Sequence, residues 1–328
     1  MSLSVKTPPV PPARVQPPGR PRRAATRGAW LNRLDLKGSP YLYIAPFFLV
    51  FGAFGAYPML RTIYMSFNKW DLVNERTQGH TFIGLKNYVD LIHAPYFWNA
   101  VQNTFGIFVV ATVPQLAMAL FLANLLNRGL RARTFLRMTV LVPNVTSVAA
   151  VAIVFGTLFQ RDFGVINWVL HFFGVSPVDW HAYKWSQWTA IATMVDWRWT
   201  GYNTLILLAG MQAIPKDLYE SATIDGAGQW RQFWSVTMPM LRPTFLFVTV
   251  TSIVGGLQLF TEPVIFNNGY NVLGGTRREA QTLTMYMWEN SLDNTNKAGY
   301  GAAVAVALFL MIIILALGNY LLVRRTAK

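Results

Sequence analysis

Long stretches of this chain contain no charged residue, among them 23 residues between Lys37 and Arg61, 23 between Arg137 and Arg161, and 26 between Lys297 and Arg324. A helix at the surface of a soluble protein keeps a polar face toward water and does not leave such gaps. A bilayer core, in contrast, demands about 20 apolar residues per crossing helix. Charged residues make up 13% of the chain and apolar ones 53%, against a usual charged share of about 25%. The pattern predicts an all-α, polytopic membrane protein rather than the two soluble domains that 328 residues would otherwise suggest.

Six spans fit: Tyr41–Leu60, Thr104–Leu126 interrupted by Pro114, Met138–Gln160 with Pro143 near its start, one within Trp188–Ala213, Pro243–Thr261 extended to Phe266, and Gly301–Val323. With both termini cytoplasmic, the inner segments hold 18 Lys and Arg and the outer loops 9, while Arg198 falls inside the fourth span. Basic residues accumulate on the cytoplasmic side of membrane proteins, which favours this orientation. The same rule accounts for the net charge of +14, so no nucleic-acid partner is needed to explain it. The chain has no cysteine, which excludes disulfides, thiolate metal sites and cysteine nucleophiles.

Residues 1–38 carry Arg14, Arg20, Arg22, Arg23 and Arg27 among prolines, with no apolar run before Tyr41. They read as a disordered or polyproline-like cytoplasmic tail and not as a signal peptide. Residues 39–328 then form the transmembrane domain. The aromatics Phe97, Trp98, Trp180, Trp185, Trp188, Tyr286 and Trp288 suit an interfacial belt. Gly299, Ala303 and Ala307, at spacing four, suit close helix packing at the start of the sixth span.

The inner loop at 214–242 is too elaborate for a connector. Pro215 stands where a helix can begin, and Asp217 falls in the first turn, near the positive end of the helix dipole. A short helix to Ile224 is then broken by Gly226 and Gly228. A second, Gln229–Val236, carries Trp230, Phe233 and Trp234 and is ended by Pro239 and Pro243. Two readings stand side by side: a knob shaped for a groove on another protein, or a pair of interfacial helices lying on headgroups.

The loop resembles the Glu-Ala-Ala loop of permease subunits of binding-protein-dependent ABC importers. That pattern is Glu-Ala-Ala, three residues, Gly, nine residues, Ile, any residue, Leu-Pro; here Glu220, Ser221, Ala222, Gly226, Val236, Met238 and Pro239 stand at those spacings. Four positions are identical, and Ser221, Val236 and Met238 are mild replacements. The segments Leu208–Glu220, Phe82–Tyr88 and Gly299–Ala303 resemble the maltose-type, carbohydrate branch of the family. The resemblance covers Tyr41 to Arg325 and leaves out the tail. It implies one permease half of a di- or oligosaccharide importer in a bacterial cytoplasmic membrane. Its implied partners are a homologous second permease, two cytoplasmic ATPase subunits and an extracytoplasmic solute-binding protein. It also implies that Glu220, Ser221, Ala222 and Gly226 dock the ATPase, while Asp225 and Pro239 shape the loop.

The chain itself shows no phosphate-binding Gly-x-x-x-x-Gly-Lys-[Ser/Thr] sequence, so no cofactor and no catalytic or metal site is expected in it. A sugar pathway needs polar and flat aromatic groups within the membrane, where ionisable residues face a cavity or a partner. In the fourth span Asp196, Trp199, Tyr202 and Asn203 are candidates, with Asp196 and Arg198 partly neutralising each other. The competing reading starts that span near Trp199 and leaves Asp196 to Trp199 among the outer headgroups. The fifth span adds Ser252, Gln258 and Glu262, and the third adds Asn144 and Thr146. The resemblance places substrate contacts on these three spans without assigning each residue; interhelical hydrogen bonds are the alternative use of each.

Three rivals complete the field. The same architecture serves a non-sugar solute such as a glycerophosphate, although a phosphate would want more cations than Arg198 provides. An intramembrane enzyme is disfavoured by four histidines, His80, His93, His171 and His181, without metal-ligand spacing. A channel would not need the knob.

Overall fold

The computed structural model describes residues 26–71, 79–128, 132–267, 272–292 and 297–325. The chain divides into two compact units, Met1–Met59 and Leu60–Lys328. In the first, helix α1 spans Thr26–Phe51 and runs into a π-helical turn at Gly52–Ala56. This revises the expected tail. Residues 26–38 are helical, because the proline-dense stretch ends at Pro21 and nothing between Thr26 and Gly38 obstructs a helix. The remainder of the tail, residues 1–25, lies outside the described residues.

Helix α2 (Tyr57–Ser66) follows, and then a two-stranded antiparallel ribbon, β1 (Asn68–Lys69) and β2 (Thr81–Phe82), with Asn68 opposite Phe82. Next come α3 (Lys86–His93), α4 (Pro95–Asn127), α5 (Arg133–Val145), α6 (Val148–Leu158) and α7 (Val165–Phe172). They are followed by α8 (Lys184–Gln212), α9 (Lys216–Ile224), α10 (Gln229–Gln232), a second π-helical turn (Phe233–Thr237) and α11 (Met238–Leu257). The last three are α12 (Thr261–Phe266), α13 (Leu283–Ser291) and α14 (Ala298–Arg325).

Among the described residues four helical stretches are long and apolar enough to cross a bilayer: Ser39–Ser66, Pro95–Asn127, Gln229–Leu257 and Ala298–Arg324. The expected third span is not one rod. Helices α5 and α6 meet at a bend of 91°, and they make a fifth candidate only if the pair counts as one broken span. The break falls at Thr146 and Ser147, where the Thr146 hydroxyl donates to the Pro143 carbonyl at 2.6 Å. The expected fourth span is helical as α8, and its 29 residues are long enough, about 44 Å at 1.5 Å per residue. It is not apolar enough to be recognised by composition. The reason is its position: α8 packs against α4, α5 and α11, and Arg198, Thr200, Asn203 and Thr204 on it are buried. A helix at the centre of a bundle has little lipid-facing surface to keep apolar.

The fifth span also departs from expectation. No break separates the second short loop helix from the span, since helix continues from Gln229 to Leu257 through both Pro239 and Pro243. It stops at Leu257, and α12 is a separate short helix. A proline removes a donor and crowds the carbonyl four residues back. Here the preceding turn is widened, with the Met238 amide donating to the carbonyl of Phe233 five residues back, and Pro239 comes next. The first π turn has the same register: the Tyr57 amide donates to Gly52, and Pro58 follows. In both places a π turn absorbs the proline without a kink-and-stop.

Three apolar clusters hold the second unit together. One joins α4, α6, α8 and α12 around Ile107, Ile191 and Met194; one joins α4, α11, α13 and α14 around Leu257, Leu283 and Val304; one joins α4, α8 and α11 around Leu207, Leu241 and Val248. Glycines set the closest approaches. A Cβ on Gly201 would sit 1.7 Å from the Val140 carbonyl oxygen, so α8 and α5 meet backbone to side-chain-free backbone. The expected aromatic belt is only partial. Trp98, Trp185 and Trp288 are exposed, but Phe97, Trp180 and Tyr286 are buried, with the Trp180 indole donating to Asn167 Oδ1 at 3.1 Å and the Tyr286 and Tyr300 hydroxyls 2.9 Å apart.

Candidate functional site

Two features stand out: an exposed loop knob and a polar cleft, on the same two helices. The knob begins three residues after α8. Pro215 caps α9 rather than opening its first turn, and Asp217 lies in that turn. The helix ends at Ile224 in a Schellman arrangement, in which the Ala227 amide donates to Ala222 at 2.9 Å and the Gly226 amide to Thr223 at 3.0 Å. Gly226 has φ +77° with open space around it. Its requirement is therefore conformational: a left-handed residue costs any side chain about 1–2 kcal/mol.

Side chains then fasten α10 to α9. Gln232 Nε2 donates to Thr223 Oγ1 and to the Ala227 carbonyl, each at 2.9 Å, and Tyr219 Oη meets Thr237 Oγ1 at 2.9 Å. Tyr219, Phe233 and Val236 pack onto the cluster around Leu207 and Leu241. Glu220, Ser221, Asp225 and Gly226 remain exposed, while Ala222 and Pro239 are half-buried. Ile224, Trp230 and Trp234 stand out apolar and exposed beside them, at 87%, 74% and 53%. The knob is thus anchored on its inner side and presents an acidic and apolar outer side.

The cleft lies between α4, α8 and α11. Trp199 and Asn203 of α8 and Ser252 of α11 line it, with Asn203 Nδ2 donating to Ser252 Oγ at 3.3 Å. Thr112, Gln115 and Thr251 also line it; sequence reasoning missed these three, although polar residues one turn apart in the otherwise apolar run of α4 were a usable signal. Its volume is about 30 Å³, room for about one or two waters. Gly256 brings α11 close to Phe108 of α4, where a Cβ would lie 2.7 Å from the ring.

The other pathway candidates lie elsewhere. Tyr202 packs its ring edge-on to Trp199, centroids 5.8 Å apart. Asn144 lies in the last turn of α5 and Thr146 in the α5–α6 break, and Gln258 is exposed at the end of α11. Arg198 does not pair with Asp196; it forms a buried ion pair with Glu262 at 3.1 Å. Two residues apart on a helix, Asp196 and Arg198 point to different sides. One Asp196 carboxylate oxygen is buried without a hydrogen-bond partner among the described residues. Those residues also contain no cluster of metal-ligating side chains.

Residues 115–328 match the family described as "Binding-protein-dependent transport system inner membrane component". The chain is 36% identical to the lactose transport system permease protein of Rhizobium radiobacter, over 89% of this chain and 96% of that one. It is 34% identical to the arabinooligosaccharides transport system permease protein of Halalkalibacterium halodurans, over 85% of each. It is 31% identical to the trehalose/maltose transport system permease protein of Thermococcus litoralis, over 83% of this chain and 89% of that one. In fold it is similar to a chain of a bacterial ABC transporter involved in the import of the acidic polysaccharide alginate, with TM-score 0.70 at 21% identity over 92% of this chain and all of that one.

Proposed function

The chain belongs to the family of binding-protein-dependent transport system inner membrane components, and from that premise we propose that it is one half of the translocation pathway of an ATP-driven di- or oligosaccharide importer, coupled to its motor through the loop at 220–239. It is a non-catalytic, multi-pass inner-membrane subunit. In this reading six spans cross the membrane with both termini inside, the broken pair α5–α6 being the third and the buried α8 the fourth. A homologous permease supplies the other half, two ATPase subunits grip the knob, and a solute-binding protein delivers the sugar.

One observation carries the proposal: α8 and α11, which face each other across the polar cleft at Asn203 and Ser252, are the two helices that the exposed knob joins. Force applied to the knob therefore reaches the cleft along rigid helices. The cleft-lining groups suit a sugar, since amide and hydroxyl side chains exchange hydrogen bonds with hydroxyls and Trp199 offers a flat face. The sugar-transporting relatives support the same class. A glycerophosphate finds no support there, because no cationic side chain lines the cleft among the described residues.

The absence of cysteine gives a direct test. Ile224→Cys, at the exposed end of α9, is expected to cross-link to a co-purified ATPase subunit, and oligosaccharide delivered by the binding protein is expected to raise the ATPase rate of the complex. A chain that purifies from its own membranes without an ATPase, or a Cys at that position reactive only with lipid-soluble reagents, overturns the assignment.

A further inference from the structure

A second, larger cavity lies apart from the cleft, built by the ribbon, α3, α13 and the first turns of α14. Its volume is about 600 Å³, within the range of about 300–1,000 Å³ typical of small-molecule sites. A backbone bridge between Asp71 and Lys297 ties its two sides together, and the Lys297 amide is held by the carbonyl of Asn290 at 2.9 Å.

The chemistry of its wall is distinctive. Lys69, Lys86 and Lys297 border it, and none of these ammonium groups forms an ion pair with a described carboxylate. Rings stand on other parts of the wall: Trp70, buried with a face covered by His80 at 4.3 Å, buried Tyr286, and half-buried Tyr300, hydroxyl-linked to Tyr286. Asp71, Asp90 and Asn290 add acceptors. Ammonium groups recognise an anion, a half-buried ring such as Tyr300 packs on the apolar face of a pyranose, and carboxylate and amide oxygens accept from hydroxyls. A lone phosphate would use the lysines and leave the rings and acceptors idle.

We infer that this cavity is a binding site, separate from the translocation cleft, for a hydroxylated carboxylate of sugar-acid type. Its elements and those of the cleft share no lining residue. The inference does not rest on the transport reading and is tested without ATP or partner subunits.

The test is titration calorimetry of the full chain in lipid nanodiscs, with glucuronate, glucose and inorganic phosphate as probes. Glucuronate is expected to bind saturably and at least ten times more tightly than either other probe. The double substitution Lys86→Met with Lys297→Met, both at exposed positions, is expected to weaken glucuronate at least tenfold, while leaving the thermal unfolding midpoint within error. Asn203→Ala in the cleft is expected to leave the titration curve as it was. Glucose binding as tightly as glucuronate, phosphate binding as tightly, no saturable heat, insensitivity to the lysine substitutions, or loss on Asn203→Ala would each overturn the assignment.

Discussion

Arg198 of α8 and Glu262 of α12, 64 positions apart in the chain, pair at 3.1 Å with side chains 8% and 7% exposed. Both ions have left their solvent, so each depends on the other. Removing one partner of such a pair costs about 3–5 kcal/mol, whereas replacing both by apolar groups is often near neutral. Arg198→Met and Glu262→Leu are each expected to lower the thermal midpoint of the detergent-purified protein markedly. The double variant is expected to recover most of the loss. Additive losses in the double variant would show that the two residues act separately.

Gly226 is expected to tolerate Asn better than Ala and Ala better than Val, because φ +77° selects against side chains in that order. Gly226→Val is expected to abolish transport-coupled ATP hydrolysis in the assembled complex, with membrane insertion unchanged by fractionation. Wild-type coupling in that variant would remove the loop from the mechanism.

Asn203→Ala and Ser252→Ala each delete one side of the 3.3 Å contact across the cleft. A hydrogen bond contributes about 0.5–1.5 kcal/mol, so sugar uptake is expected to show an apparent KM raised by up to about tenfold in each. Gln115→Ala, on the third wall, is expected to do the same. Unchanged uptake in all three would move the pathway elsewhere.

Gly201→Ala places a methyl group where a Cβ meets the Val140 carbonyl oxygen at 1.7 Å. Overpacking costs about 1–3 kcal/mol, occasionally more. The variant is expected to unfold at lower temperature and to separate α5 from α8, which a spin-label distance between the two helices reads directly.

What could be seen in advance was whatever is local in sequence. A charge-free run marked the span of α14, and Pro215, Gly226 and Gly228 bounded the first short helix of the loop. What could not be seen depended on partners far along the chain. The counter-ion of Arg198 lies on another helix, so the nearest carboxylate, Asp196, was the wrong choice. Helix α8, expected as a span within Trp188–Ala213, is less apolar than the other spans because its neighbours, not lipid, surround its polar side chains. Pro239 misled because a proline's effect is set by the turn before it, and a π turn leaves no mark in composition. Thr112 and Gln115, one turn apart, were a signal within an apolar span, and the facing α8 and α11 give that signal its place on the cleft wall.

A floppy connector would swallow a small displacement. Between Gln229 and Leu257 there is no slack to swallow it, since the π turn carries helix straight through Pro239, and only three residues separate α8 from α9. A tug on residues 216–237 would thus arrive at both walls of the cleft together, one from each end of the same hairpin. The hydrogen bond joining Asn203 to Ser252 lies across the seam between those walls, so sliding of one wall past the other would stretch it.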